Sequence, residues 1–384
     1  MTGRRRPGRD DGRPIARVLG VEIVVHPSWL IIFALVTASL AINQLPADHP
    51  AWPAPLLWTV AAAVAILFFA SVVVHELAHV LVARRRGIVS RRVTLFIFGG
   101  AATLERESDD PTDELLIALA GPAASLFLGG LLLGLARLLD EAGPGPAESV
   151  AGIAFWLGAI NVLLGFFNLV PGFPMDGGRI LRGLLWRLSA DFVRATRIAT
   201  LVGRAVAYVM IGAGFLIALN GDVVGGLWLA FVGWFLNTAA ESSYRRVALE
   251  RLVAGVRVGE VMERDAPTVH PNLTLDVFVD QYLVSGAATA YAVTIEGDLF
   301  GTIGLEQVRA TPRGDWPAAR VTDVMTRLAE APTATADEPL WDAIERFEEG
   351  RLQLLPVTDG RRLLGVVTRE TLLRALRARA ELSA

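Results

Sequence analysis

Phe69-Ala-Ser-Val-Val-Val-His75-Glu76-Leu-Ala-His79-Val-Leu-Val-Ala83 sets a His-Glu-x-x-His pattern inside an apolar run. On a helix, His75 and His79 stand at i and i+4 and leave the same face one above the other. Two ring nitrogens can then reach one metal ion, and Glu76, one step around, can hold a water against it. Two core histidines four residues apart would give the same pattern. The setting separates the two readings, because imidazoles and a carboxylate in the middle of a membrane span are costly and mark function.

Working outward, the 384 residues are 53% hydrophobic with mean hydropathy +0.47, well above a soluble average. With no cysteine, disulfides and thiolate metal sites are excluded. All 36 basic residues are arginine, and the formal charge of −3 gives no footprint for a nucleic-acid partner. The histidines are His26, His49, His75, His79 and His270. A third ligand beside His75 and His79 must be one of the other three or a carboxylate.

Six apolar spans are read at 29–42, 56–83, 115–139, 150–170, 198–219 and 223–240, the first beginning nearer Val21. The second exceeds the ~20 residues a bilayer needs. The expected fold is thus a polytopic α-helical membrane protein. If the spans alternate, the Arg-rich tail (1–17), Arg84-Arg85-Arg86, the 179–197 loop and Arg245-Arg246 share one side, while loops 43–54, 140–149 and 220–222 hold no arginine. The positive-inside rule then predicts a multi-pass protein of the plasma membrane with both termini cytoplasmic. His75 lies nine residues from Arg84, about 13 Å of helix rise, in the cytoplasmic half.

Residues 93–104 read as a β-hairpin turning at Gly99-Gly100, whose edge could pair with an extended peptide. Gly121-Pro122 interrupts the third span, and close helix packing accounts for it most simply. The fourth span ends in Asn168-Leu-Val-Pro171-Gly172-Phe-Pro174-Met-Asp176-Gly177-Gly178-Arg179, where prolines and glycines break the helix. Asp176 could be half of a surface pair with Arg179, but it is also the best-placed acid for the missing ligand. Two histidines, one aspartate and a water fit an open zinc site.

Together, His75-Glu-x-x-His79 and Asn168-x-x-Pro171-x-x-Pro174-x-Asp176-Gly177 resemble the site-2 protease family of intramembrane zinc metalloproteases, over about residues 15 to 240. The resemblance implies one Zn2+ per chain on His75, His79 and Asp176, Glu76 as general base, and Asn168 holding the substrate or its oxyanion. It also implies substrates that are single-span membrane proteins, met among membrane lipids. His26, in His26-Pro27-Ser28, matches a histidine often seen there; a place at the interface is favoured over a role at the site. His49 and His270 are given no role.

After a transmembrane domain at 18–240 and a linker at 241–255, Val258-Gly-Glu-Val-Met262 recurs as Val321-Thr-Asp-Val-Met325. Each copy continues with a helix, two strands and a closing helix. This resembles a tandem α+β pair of CBS domains over 256–384 (256–311 and 319–380). Such pairs bind adenine nucleotides through a ribose-contacting aspartate; Gln307 and Thr371 stand in its place here, although Thr368 keeps the hydroxyl. Two readings stay open for the pair, nucleotide binding without that anchor and a homodimerisation or docking role. For the whole chain, the alternative to a CBS-regulated protease is a CBS-regulated transporter or channel. That reading predicts polar residues spread along several spans, whereas they cluster at His75–His79 and Asn168–Asp176.

Overall fold

In lipid, a long apolar segment satisfies its backbone internally only as a helix or in a closed barrel. The computed structural model, which describes residues 12–97, 99–104, 108–141, 146–286, 288–350 and 352–382, has six helices long and apolar enough to cross a membrane. The first crossing joins α1 (Trp29–Ser39), a π-helical turn and α2 (Leu45–Asp48). The others are α3 (Ala54–Arg85), α4 (Pro111–Asp140), α5 (Pro146–Asn168), α7 (Phe192–Leu219) and α8 (Val223–Leu252). Phe127, Val209, Leu219 and Val224 stay exposed, as lipid-facing surface requires. The chain is a multi-pass membrane protein with a strand-containing C-terminal part, divided into two compact units at Arg245/Arg246.

Several elements differ from the sequence reading. The first crossing does not reach back to Val21. Val21–Val25 is β2, paired with β1 (Arg13–Val18) across Leu19-Gly20, both at positive φ (51° and 77°), a turn whose twist suits a two-residue hairpin. β2 runs parallel to β3 (Ser90–Phe96), which pairs with β4 (Gly99–Leu104), giving the order β1-β2-β3-β4. Val21, Ile23 and Val93 bury one face of this sheet against Leu77 and Val80 of α3. Because β3 and β4 close across Phe96 and Gly99, both glycines belong to β4 rather than to the turn.

Pro122 does not interrupt α4, which continues to Asp140. Much of the 179–197 loop is α6 (Asp176–Ser189), ended by Ala190 in the left-handed region. The stretch read as a linker is helical up to Leu252. Residues 1–11 of the Arg-rich tail lie outside the described residues.

The C-terminal unit carries the repeat as two βαββα-like copies. Its sheet has the order β5 (Thr268–Val269), β6 (Ala290–Ile295), β7 (Asp298–Gly304), β10 (Arg362–Thr368) and β9 (Leu354–Asp359), with β8 (Thr326–Arg327) also on β7. Two apolar cores fill it, one around Phe278, Val293 and Ile303, the other around Leu340, Leu355 and Val367.

Candidate metal centre

α3 presents His75 and His79 one turn apart, both buried, with ring centroids 4.9 Å apart. Each uses its Nδ1 on α4. His79 Nδ1 lies 2.6 Å from the Ile117 carbonyl, and His75 Nδ1 lies 2.9 Å from Ser125 Oγ. A carbonyl only accepts, so His79 donates from Nδ1, and the neutral ring then carries its lone pair on Nε2. The same tautomer for His75 satisfies Ser125.

The two Nε2 atoms are 3.2 Å apart, and each is 3.1 Å from Oδ2 of Asp176 at the start of α6. With both rings neutral in this tautomer, the two Nε2 atoms and the carboxylate oxygen have no hydrogen among them, yet they converge within 4.8 Å. A shared cation resolves that contact, and imidazole with carboxylate is a zinc donor set. Gly121 of α4 faces the same point. A Cβ there would sit 2.6 Å from His75 Nε2 and collide with His79 Nε2. The residues therefore fit a bound Zn2+.

Asp176 reaches this place through the Pro-Gly segment. Phe173 N donates to the Ala199 carbonyl (3.3 Å), and Gly172 meets Gly203 of α7 so closely that a side chain on Gly172 would clash. Gly177 and Gly178 fold back against 169–173 with no room for a Cβ. Arg179 does not pair with Asp176; its Nε is 3.9 Å from Glu114.

Glu76 is half-buried, and Gly100 of β4 lies against it: a Cβ on Gly100 would come within 2.6 Å of Glu76 Cγ. Gly100 is there for close approach, while Gly99, with nothing within 4 Å of its Cβ position, is suited by its φ of 128°. Asn168 ends α5 with its amide donating to Leu164 O (3.0 Å); among the described residues no hydrogen bond joins it to the histidine–aspartate cluster.

The other histidines stand apart from the cluster. His26 Nδ1 bonds Ser28 at the junction of β2 and α1, His49 stacks on Trp52 at 4.0 Å, and His270 accepts from Asn272 N. The reading from sequence missed Glu114, 1% exposed in the first turn of α4, and its partner Arg182. Glu114 closes a run of acids just before the apolar span, so nothing local set it apart. In the C-terminal unit, Gln307 accepts from Gly304 N and donates to Thr326 Oγ1, while Thr371 Oγ1 accepts from Thr368 N and donates to Thr368 O.

The profile described as peptidase family M50 matches residues 63–142 and 143–210, and the CBS domain profile matches 321–378. The chain is 39% identical over 360 residues to a Mycobacterium tuberculosis protein named zinc metalloprotease Rip3, covering 93% of this chain and 91% of that one. It is 32% identical over 371 residues to the Synechocystis protein named zinc metalloprotease sll0528, covering 95% and 96%. The solved site-2 protease from Methanocaldococcus jannaschii is 28% identical, covering 60% of this chain and 93% of that one at a TM-score of 0.42. Similarity to relatives along nearly their whole length shows that this chain belongs to peptidase family M50, the site-2 proteases, as a zinc metalloprotease carrying a CBS domain.

Proposed function

We propose that the chain hydrolyses peptide bonds within or next to the transmembrane segments of single-span membrane proteins, with His75, His79 and Asp176 as zinc ligands. The convergence of two lone-pair Nε2 atoms and one carboxylate oxygen on a point kept clear by Gly121 carries this reading. It also disfavours the transporter alternative, because the buried histidines of α3 meet at one centre.

His75, His79 and Asp176 would hold a zinc ion, which would supply Lewis acidity for the scissile carbonyl and the attacking water. Glu76 takes the proton of that water and returns it to the leaving amine. Ser125 and Ile117 keep both imidazoles in the tautomer that presents Nε2. β4 is a sheet edge with Gly100 against Glu76. An unwound substrate strand adding to that edge is delivered to the base. Asn168, whose amide can also donate forward, steadies the substrate carbonyl.

The domain limits proposed are 18–240 for the protease and 256–384 for the CBS pair, with both termini cytoplasmic at the plasma membrane. Homodimerisation through the CBS pair is the proposed mode of control.

The test compares membrane-protein fragments produced by wild type and Glu76→Gln. The variant keeps the side-chain shape and its zinc, and cleavage falls at least 100-fold, within the usual worth of a general base. Wild-type turnover by Glu76→Gln would refute the assignment of the base.

A further inference from the structure

Glu114 lies one turn before Ile117 on α4 and is 1% exposed; Arg182 of α6 is 6% exposed. Arg182 Nε donates to Glu114 Oε1 at 2.7 Å, and a second guanidinium nitrogen bonds the same oxygen. The guanidinium also lies 5.1 Å from the Phe173 ring and 4.5 Å from the Phe192 ring. Replacing a buried ion pair by apolar side chains is commonly neutral or stabilising, so stability alone does not explain one inside a membrane unit.

Its location supplies a reason. The two histidines ride on α3 and the aspartate on α6, and α4 touches both. Through Ile117, Gly121 and Ser125 it fixes the imidazoles. Through Glu114 it holds α6, where Gly183 packs so closely that a Cβ would stand 2.9 Å from Leu115. Arg182 further ties down both flanks of Asp176. Phe173 precedes the aspartate by three residues, and Phe192 opens α7 behind α6.

We infer that Glu114 and Arg182 are a positioning pair that sets the Asp176 carboxylate at its distance from the two Nε2 atoms and thereby tunes zinc affinity. This rests on the proposed ligand set. A fork-shaped guanidinium suits the role, since it holds a carboxylate and two rings in fixed directions that an ammonium cannot reproduce.

The test uses full-length protein in detergent, with zinc affinity from chelator competition and the absorption spectrum of the cobalt-substituted protein. Glu114→Gln and Arg182→Gln each weaken zinc binding at least tenfold and shift the cobalt bands, while helical content and elution volume stay as in wild type. Arg182→Lys falls between. Arg137→Gln, which breaks the exposed pair with Glu141, changes neither reading.

Wild-type zinc affinity together with a wild-type cobalt spectrum in a folded Gln variant overturns the proposal. If the Gln variants do not fold, Arg182→Lys decides on the same criteria. Failure of all three to fold also overturns it, because the pair would then hold the fold rather than tune one carboxylate. Asp176→Ala separates the two layers. Undiminished zinc in that variant defeats the ligand assignment, whereas lost zinc there with unchanged binding in the pair variants defeats only the positioning role.

Discussion

In the membrane unit, His75 and His79 each use one ring nitrogen on α4 and turn the other toward Asp176; in the C-terminal unit, Gln307 and Thr371 use both hydrogen-bonding functions on protein groups nearby. The histidine–aspartate cluster brings together acceptors that have no donor among them. Gln307 and Thr371 close their own bonds at the start of a helix. Buried acceptors that meet without a hydrogen between them ask for a cation, while a capped helix end asks for nothing further. The chemistry a site still lacks is thus as informative as the residues it contains.

The sharpest way to break this contrast is to fill the space kept clear. Gly121→Ala puts a methyl group against both Nε2 atoms. Overpacking costs about 1–3 kcal/mol, so zinc affinity should fall roughly five- to 150-fold. Gly130→Ala, on the same helix with nothing within 4 Å of its Cβ position, should leave the affinity at the wild-type value. Equal effects at the two positions would show that α4 responds to helix composition and not to the site.

A second prediction works from the C-terminal side. Adenine nucleotides should bind the wild-type chain weakly or not at all, because neither Gln307 nor Thr371 offers a charged acceptor. Gln307→Asp should gain about 1.5–3 kcal/mol from a charge-assisted bond, one to two decades in affinity. Titration calorimetry with AMP, ADP and ATP measures both. Micromolar binding by the wild type would mean that local capping does not exclude the ligand.

The smallest effect concerns a group that is fully satisfied and fully exposed. Asp110 caps α4, accepting from Thr112 N (2.7 Å) and Asp113 N (3.1 Å). Those bonds, with Asp113 first, hold its carboxyl below the usual range. A carboxyl with a depressed folded pKa stabilises above its unfolded value and loses that contribution as pH falls through the folded one. Asp110→Ala should therefore lower the melting temperature at pH 7, and the gap from wild type should close below pH ~4. A gap that widens in acid would contradict the cap.

Residues whose role depends on local spacing were legible in the sequence. His75 and His79 need only a helix, and two imidazoles one turn apart in an apolar run point to a metal. Six crossings follow from apolar length. Asp176 was reachable because two histidines need a third donor and the Pro-Gly break singled out one acid.

What was hidden depends on distant partners. Val21–Val25 adjoins an apolar span and reads as part of it; pairing with Arg13–Val18 on one edge and with Ser90–Phe96 on the other makes it a strand. Asp176–Ser189 has two glycines in its first turn and three arginines, so it was read as a polar loop although its apolar residues share one helical face, which packs against Leu115 and Pro111 of α4. Gly99-Gly100 carries a turn signal, but the cause of Gly100 is Glu76, 24 residues upstream. Glu114 and Arg182 are 68 residues apart and share no motif.

The spacing between His79 and Asp176 also sets an order in time. The third donor lies 97 residues downstream of the second histidine. At about 5–20 residues per second of synthesis, it emerges roughly 5 to 20 seconds later. Until then a growing chain holds only the two imidazoles of the proposed ligand set, His75 and His79. With the proposed ligand set, the centre would therefore stay incomplete while the first four crossings are made, and would gain its third donor before the last two, Phe192–Leu219 and Val223–Leu252, follow.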